Sequence, residues 1–179
     1  FSTIDTTAAG VTADWKYNGA AAVGTSVFFA PYNQDNVGVL DTTTSTFSTI
    51  DTTAAGVTDN DKYLGATAVG TSVIFAPHNE DNVGVLDTTT STFSTIDTTG
   101  VTANGKYADA VAVGTSVFFT PSNEDNVGVF DTTTSTFTTI SITATSDYKY
   151  DGAAAVGTTV FFTPKHQDSV GVLNTYWVA

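Results

Sequence analysis

The chain has 179 residues, no cysteine, and a net charge of −13 from 18 acidic residues against five lysines and no arginine. Without cysteine there is no disulfide framework, no Cys-based zinc site and no thiol nucleophile. Without clustered basic residues, phosphate backbones and anionic membranes are poor partners, which leaves cations, neutral sugars and proteins.

The first element the pattern predicts is a strand at "FSTIDTT", residues 1–7, followed by a variable loop and a small-residue strand at "YNGAAAVG". A tight "VGTS" turn leads to an apolar strand, "TSVFFAP", and a loop "YNQD" leads to a fourth strand, "NVGVLDT". Val, Ile, Phe and Thr fill the strands while Gly, Asn, Asp and Pro mark the breaks. After the turn "DTTTST" the series begins again at Phe47, then at Phe93 and Phe137, giving repeats 1–46, 47–92, 93–136 and 137–179. No helical period runs through any of them, and no apolar run approaches the eighteen or so residues of a helical membrane span.

A period of 40–50 residues with four strands each predicts an all-β propeller of four four-stranded blades in a single domain over 1–179. The small residues of "GAAAVG" suit the crowded innermost strand, "VFFA" suits a strand covered on both faces, and "FSTID" suits the outer edge. One unit cannot stand alone: ordering about 45 residues at roughly 1.5 kcal/mol each exceeds what its apolar side chains return. The units must stack.

The last unit supplies three strands, and the outer one it lacks stands at residues 1–5. The expectation is a 1+3 clasp, in which the N-terminal strand completes the last blade and closes the ring. The same strand can instead clasp another molecule, making eight blades from two chains or a head-to-tail filament.

The segment "VGVLDTTTSTFSTI" resembles the kelch repeat, which has an aromatic-Asp pair, a turn, and a Trp seven residues after the aromatic. Here Leu40-Asp41 precedes Phe47, Leu86-Asp87 precedes Phe93, and Phe130-Asp131 precedes Phe137. Phe replaces the Trp, and the Gly-Gly pair of that repeat is replaced by Ala30-Pro31, Ala76-Pro77, Thr120-Pro121 and Thr163-Pro164. The resemblance implies blade architecture and a binding or scaffold role. Galactose-oxidase-like enzymes on such blades need copper and a crosslinked Cys, which is missing here.

The two long loop families share one rim, where binding is expected. Asp35, Asp81, Asp125 and Asp168 recur there with Asn33, Asn79 and Asn123; they shape turns, or hold Ca2+ or another hard cation. Lys16, Lys62, Lys106 and Lys149 can pair with that Asp set as exposed ion pairs, and the Tyr after each lysine reads as blade packing. The units differ at Trp15, Tyr32, His78, Ser122, Lys165 and His166. Trp15 and Tyr32 make a candidate sugar platform, with Asn33, His78, Asn79, Asn123 and His166 as further candidate ligand groups.

No catalytic constellation is visible, since the two histidines lie in separate units and no G-x-S-x-G elbow occurs. The reading is a non-enzymatic extracellular or cell-surface scaffold that contacts proteins or itself, with a carbohydrate-binding lectin as the alternative. No nucleic acid, membrane insertion or resident cofactor is expected. The chain does not begin with Met, so it reads as a processed product or fragment, and its Thr-rich turns are candidate O-glycosylation sites.

Overall fold

The computed structural model describes residues 1–176. Strands form where the repeat predicts them, except at residues 1–7, which form no strand. The first sheet is β1 (Tyr17–Val23), β2 (Ser26–Pro31), β3 (Asn36–Asp41) and β4 (Thr46–Asp51). The second is β5 (Tyr63–Val69), β6 (Ser72–Pro77), β7 (Asn82–Asp87) and β8 (Thr92–Asp97), and the third is β9 (Tyr107–Val113), β10 (Ser116–Pro121), β11 (Asn126–Asp131) and β12 (Thr136–Ser141). The last has only β13 (Tyr150–Val156), β14 (Thr159–Pro164) and β15 (Gly171–Asn174). Each sheet is an antiparallel meander in chain order.

The meander follows from its turns. Between β3 and β4, the Asp41 carboxylate accepts from the Thr43 N–H at 2.8 Å and the Thr43 hydroxyl at 2.6 Å, closing an Asx turn. Asp87 and Asp131 repeat this with Thr89 and Thr133. These hydrogen bonds lower the carboxyl pKa values of Asp41, Asp87 and Asp131.

Consecutive sheets are joined by one kind of interface, made three times. The face carrying Phe28 and Ala30 packs on Tyr63, Val73 and Phe75 of the second sheet. Ile74 and Ala76 pack on Tyr107, Val117 and Phe119, and Phe118 packs on Tyr150, Val160 and Phe162. The inner strands line up as β1–β5–β9–β13, each beside the next. Gly19, at φ +71°, permits this approach: a Cβ there would stand 2.7 Å from the Leu64 carbonyl oxygen.

The expected clasp is not made. Phe1–Asp5 belongs to no strand, Phe1 and Ile4 are exposed, and among the described residues the last sheet has three strands. The physical reason lies in the joints. In each formed joint the outer strand of one sheet runs directly into the inner strand of the sheet packed on it, as β4 runs into β5. Among the described residues no interface of that kind joins the fourth sheet to the first, so the segment leading into β1 has no neighbouring sheet to extend.

Candidate binding rim and end faces

The loops after β2 and β4, with their counterparts, form one rim. There the repeated Lys-Tyr step starts each inner strand and, in the last three units, ties it to the preceding sheet. The Lys62 N–H donates to the Tyr32 carbonyl at 3.1 Å, Lys106 to His78 at 2.9 Å, and Lys149 to Ser122 at 3.1 Å. The ammonium groups of Lys62, Lys106 and Lys149 lie 2.9, 2.8 and 2.9 Å from Asp35, Asp81 and Asp125 of the preceding unit. These are not the exposed pairs the sequence suggested: all three lysine side chains are fully buried, with their carboxylate partners about half exposed. Lys106 and Lys149 also donate to backbone carbonyls, whereas Lys62 has the ion pair alone.

The same joints engage the asparagines. Asn33 Oδ1 accepts from the Asp61 N–H at 3.1 Å, Asn79 Oδ1 from Gly105 at 3.0 Å, and Asn123 Oδ1 from Tyr148 at 3.0 Å. These candidate ligand groups thus fasten one unit to the next. His166 holds the equivalent place in the last unit and meets Tyr148 edge-on at 5.7 Å. The carboxylates expected to share a cation do not gather: Asp35, Asp81 and Asp125 each hold a separate lysine, Asp168 is exposed, and among the described residues no group of three His, Asp or Glu is placed to hold a metal.

Inside the rim lies a mouth of about 370 Å³, ringed by the starts of all four inner strands. The position after the repeated Tyr supplies Asn18, Leu64, Ala108 and Asp151. The position after the repeated Pro supplies Tyr32, His78, Ser122 and Lys165, and Tyr148 completes the lining. When the four units are superposed in sequence, only three positions carry four different residues: these two, and the one before the repeated Lys, to which Tyr148 belongs. Every lining residue therefore comes from a position at which all units differ. That signal was present in the sequence, but only the fold shows that the three positions face one space. Trp15, at the third position, is 75% exposed and does not line the mouth beside Tyr32.

The mouth's chemistry is mixed. Lys165 Nζ lies 2.7 Å from Asp151 Oδ1 and 5.6 Å from the centre of the Tyr148 ring. Tyr32 and His78 stand 6.0 Å apart. Burial, then the nearby Asp61 charge, raises the Tyr32 hydroxyl pKa. Burial lowers the His78 pKa and favours the neutral ring. Its Nδ1 lies 3.3 Å from the Tyr107 carbonyl; a carbonyl only accepts, so Nδ1 carries the proton and Nε2 remains an acceptor.

The end faces differ from the internal joints. Phe161 is 37% exposed where its counterpart Phe118 is fully buried, and Val156, Val170 and Val172 are exposed beside it. Beneath β15 runs a groove of about 390 Å³ lined by Tyr150, Phe162 and Leu173 among others. In the other units this place holds a third ring: Phe47 with Tyr17 and Phe29, Phe93 with Tyr63 and Phe75, and Phe137 with Tyr107 and Phe119. Among the described residues the last unit has the Tyr150–Phe162 pair alone.

No protein-family model and no curated protein matches the chain. Solved structures match by shape. The computationally designed Ika4 protein superposes with a TM-score of 0.65 at 12% identity, over 91% of this chain and 93% of that one. A hydrazine synthase chain from Kuenenia stuttgartiensis gives 0.67 at 15%, over 89% of this chain and 46% of that one. A chain of a nidogen/laminin complex gives 0.66 at 12%, over 87% and 58%. The chain thus spans about half the length of the two natural proteins. At these identities the likeness shows the fold alone, a repeat β-fold of successive antiparallel sheets.

Proposed function

We propose that the chain is a non-enzymatic β-propeller scaffold that works outside the cell through protein contacts, including contacts with further copies of itself. The observation that carries this reading is the pair of end faces that the described residues leave uncovered. The fourth sheet presents Phe161, the counterpart of residues buried in all three joints, and the first presents Tyr17, Val27 and Phe29 only partly covered. Lys16 and Asp168, the remaining members of the two ion-pair series, have no ion pair among the described residues.

The two faces are the complementary halves of an interface the chain already makes three times. A second copy fits both, since its first sheet meets the fourth sheet of its neighbour. Its Phe1–Asp5 then extends the neighbour's β15 in the register of β3 and β4: Leu40 pairs Phe47 and Val37 pairs Ile50, so Leu173 would face Phe1 and Val170 would face Ile4. Phe1 would enter the groove beside Tyr150 and Phe162 as a third ring, where Phe47, Phe93 and Phe137 stand in the other units. Such a head-to-tail joint closes into a ring or continues as a filament, as its rotation allows.

Mass measurement in solution over a range of concentrations tests this. The reading predicts species of two or more chains that grow with concentration and vanish when residues 1–5 are removed. A single-chain mass at every concentration would overturn it.

A further inference from the structure

We infer that the mouth inside the rim is a binding site for one neutral sugar residue, either a free hexose or the terminal residue of a glycan. This goes beyond the scaffold reading and rests on different residues. Four units that agree at nearly every strand position diverge fully at three, and the lining of one concavity is drawn from those three alone. A site needing only fourfold packing would keep the repeat. A site recognising an asymmetric small molecule needs a different group from each side.

The lining also selects the class of ligand. Its volume falls in the range of small-molecule sites. Its one acid–base pair, Asp151 and Lys165, is already closed at 2.7 Å. A charged ligand meets a like charge beside the opposite one, an anion facing Asp151 and a cation facing Lys165. A hydroxyl both donates and accepts, so neighbouring hydroxyls of a sugar can bond Asp151 and Lys165 while the pair stays intact. Asn18 and the Nε2 of His78 add further polar contacts. Leu64 and Ala108 offer an apolar wall, and the Tyr32 and Tyr148 rings line the same space. A pyranose ring, with C–H faces and a hydroxyl edge, matches that division.

The test is calorimetric titration of the full chain with glucose, galactose, mannose and N-acetylglucosamine, with a glycoprotein arm to separate free sugar from terminal glycan. Glycine and sialic acid serve as charged comparators. Saturable binding of at least one neutral sugar is expected, at a dissociation constant of about 1 mM or tighter. Tyr32→Ala and Lys165→Gln should each weaken it by about tenfold or more, with thermal melts confirming that both variants fold. Trp15→Ala should leave it unchanged. Binding of only the charged probes, no saturable binding at all, or equal losses from Trp15→Ala and Tyr32→Ala would each overturn the inference.

Discussion

The Lys106 ammonium is completely buried 2.8 Å from Asp81, a carboxylate of the preceding unit that is more than half exposed. The two members of this pair are therefore unequal. Removing Asp81 strands a buried charge on the single remaining bond to the Asn79 carbonyl, while removing Lys106 leaves an acid already in water. Asp81→Ala should cost about 2–3 kcal/mol and Lys106→Met clearly less. Urea unfolding of both variants checks the order.

The aromatic triads predict a second asymmetry. Phe137 closes a triad with Tyr107 and Phe119, so Phe137→Ala should lower stability by about 2–4 kcal/mol. Phe1 is exposed and makes no such contact in the single chain. Phe1→Ala should leave the dilute chain's melting temperature unchanged while abolishing the larger species. Parallel thermal melts and mass measurements separate the two effects.

Gly19 and Gly24 both hold a left-handed backbone, at φ +71° and +58°, but only Gly19 meets a neighbouring sheet. Gly24→Ala carries the conformational cost alone, about 1 kcal/mol. Gly19→Ala adds a collision with the Leu64 carbonyl and should cost at least about 2–3 kcal/mol. Denaturant midpoints of the two variants give the comparison.

His78 predicts a pH effect. Burial depresses its folded pKa, with Lys106 and Lys165 adding to the depression and the Tyr107 carbonyl and Asp61 opposing it. Above the unfolded value of about 6.5 both states hold a neutral ring; as pH falls through the folded pKa, the folded state must bury a cation. Stability should therefore drop between about pH 7 and pH 5. Raised carboxyl pKa values at Glu80 and Asp109 act in the opposite sense as those groups protonate, so the imidazole is isolated by difference. His78→Gln should remove its share of the slope in melts across that range.

Much of the fold was legible in the sequence because the strand signals are local. Phe, Val and Thr alternate with Gly, Asn and Pro breaks, and "VGTS" and "DTTTST" fix hairpins whose turns the structure reproduces. The missing clasp was not legible, because it depends on whether the fourth sheet reaches the first, and relative sheet placement has no local code. The site was legible in part. Tyr32 and His78 were visible as irregularities in a repeat, yet Asn18, Leu64, Ala108 and Asp151 read as ordinary strand residues until the inner strands brought them together. Asn33, Asn79 and Asn123 looked like ligand groups because side-chain amides serve joints and ligands alike.

The joint itself can be trapped, since the chain has no cysteine to compete. Val39 pairs with Ser48 in the first sheet, so the proposed joint sets Val172 against Ser2 of another copy. Equal amounts of a Ser2→Cys chain and a Val172→Cys chain, mixed and treated with a short thiol cross-linker, should give a covalent species containing one of each. Absence of that species, together with a link formed inside single chains of the Ser2→Cys/Val172→Cys double variant, would contradict assembly through the open ends.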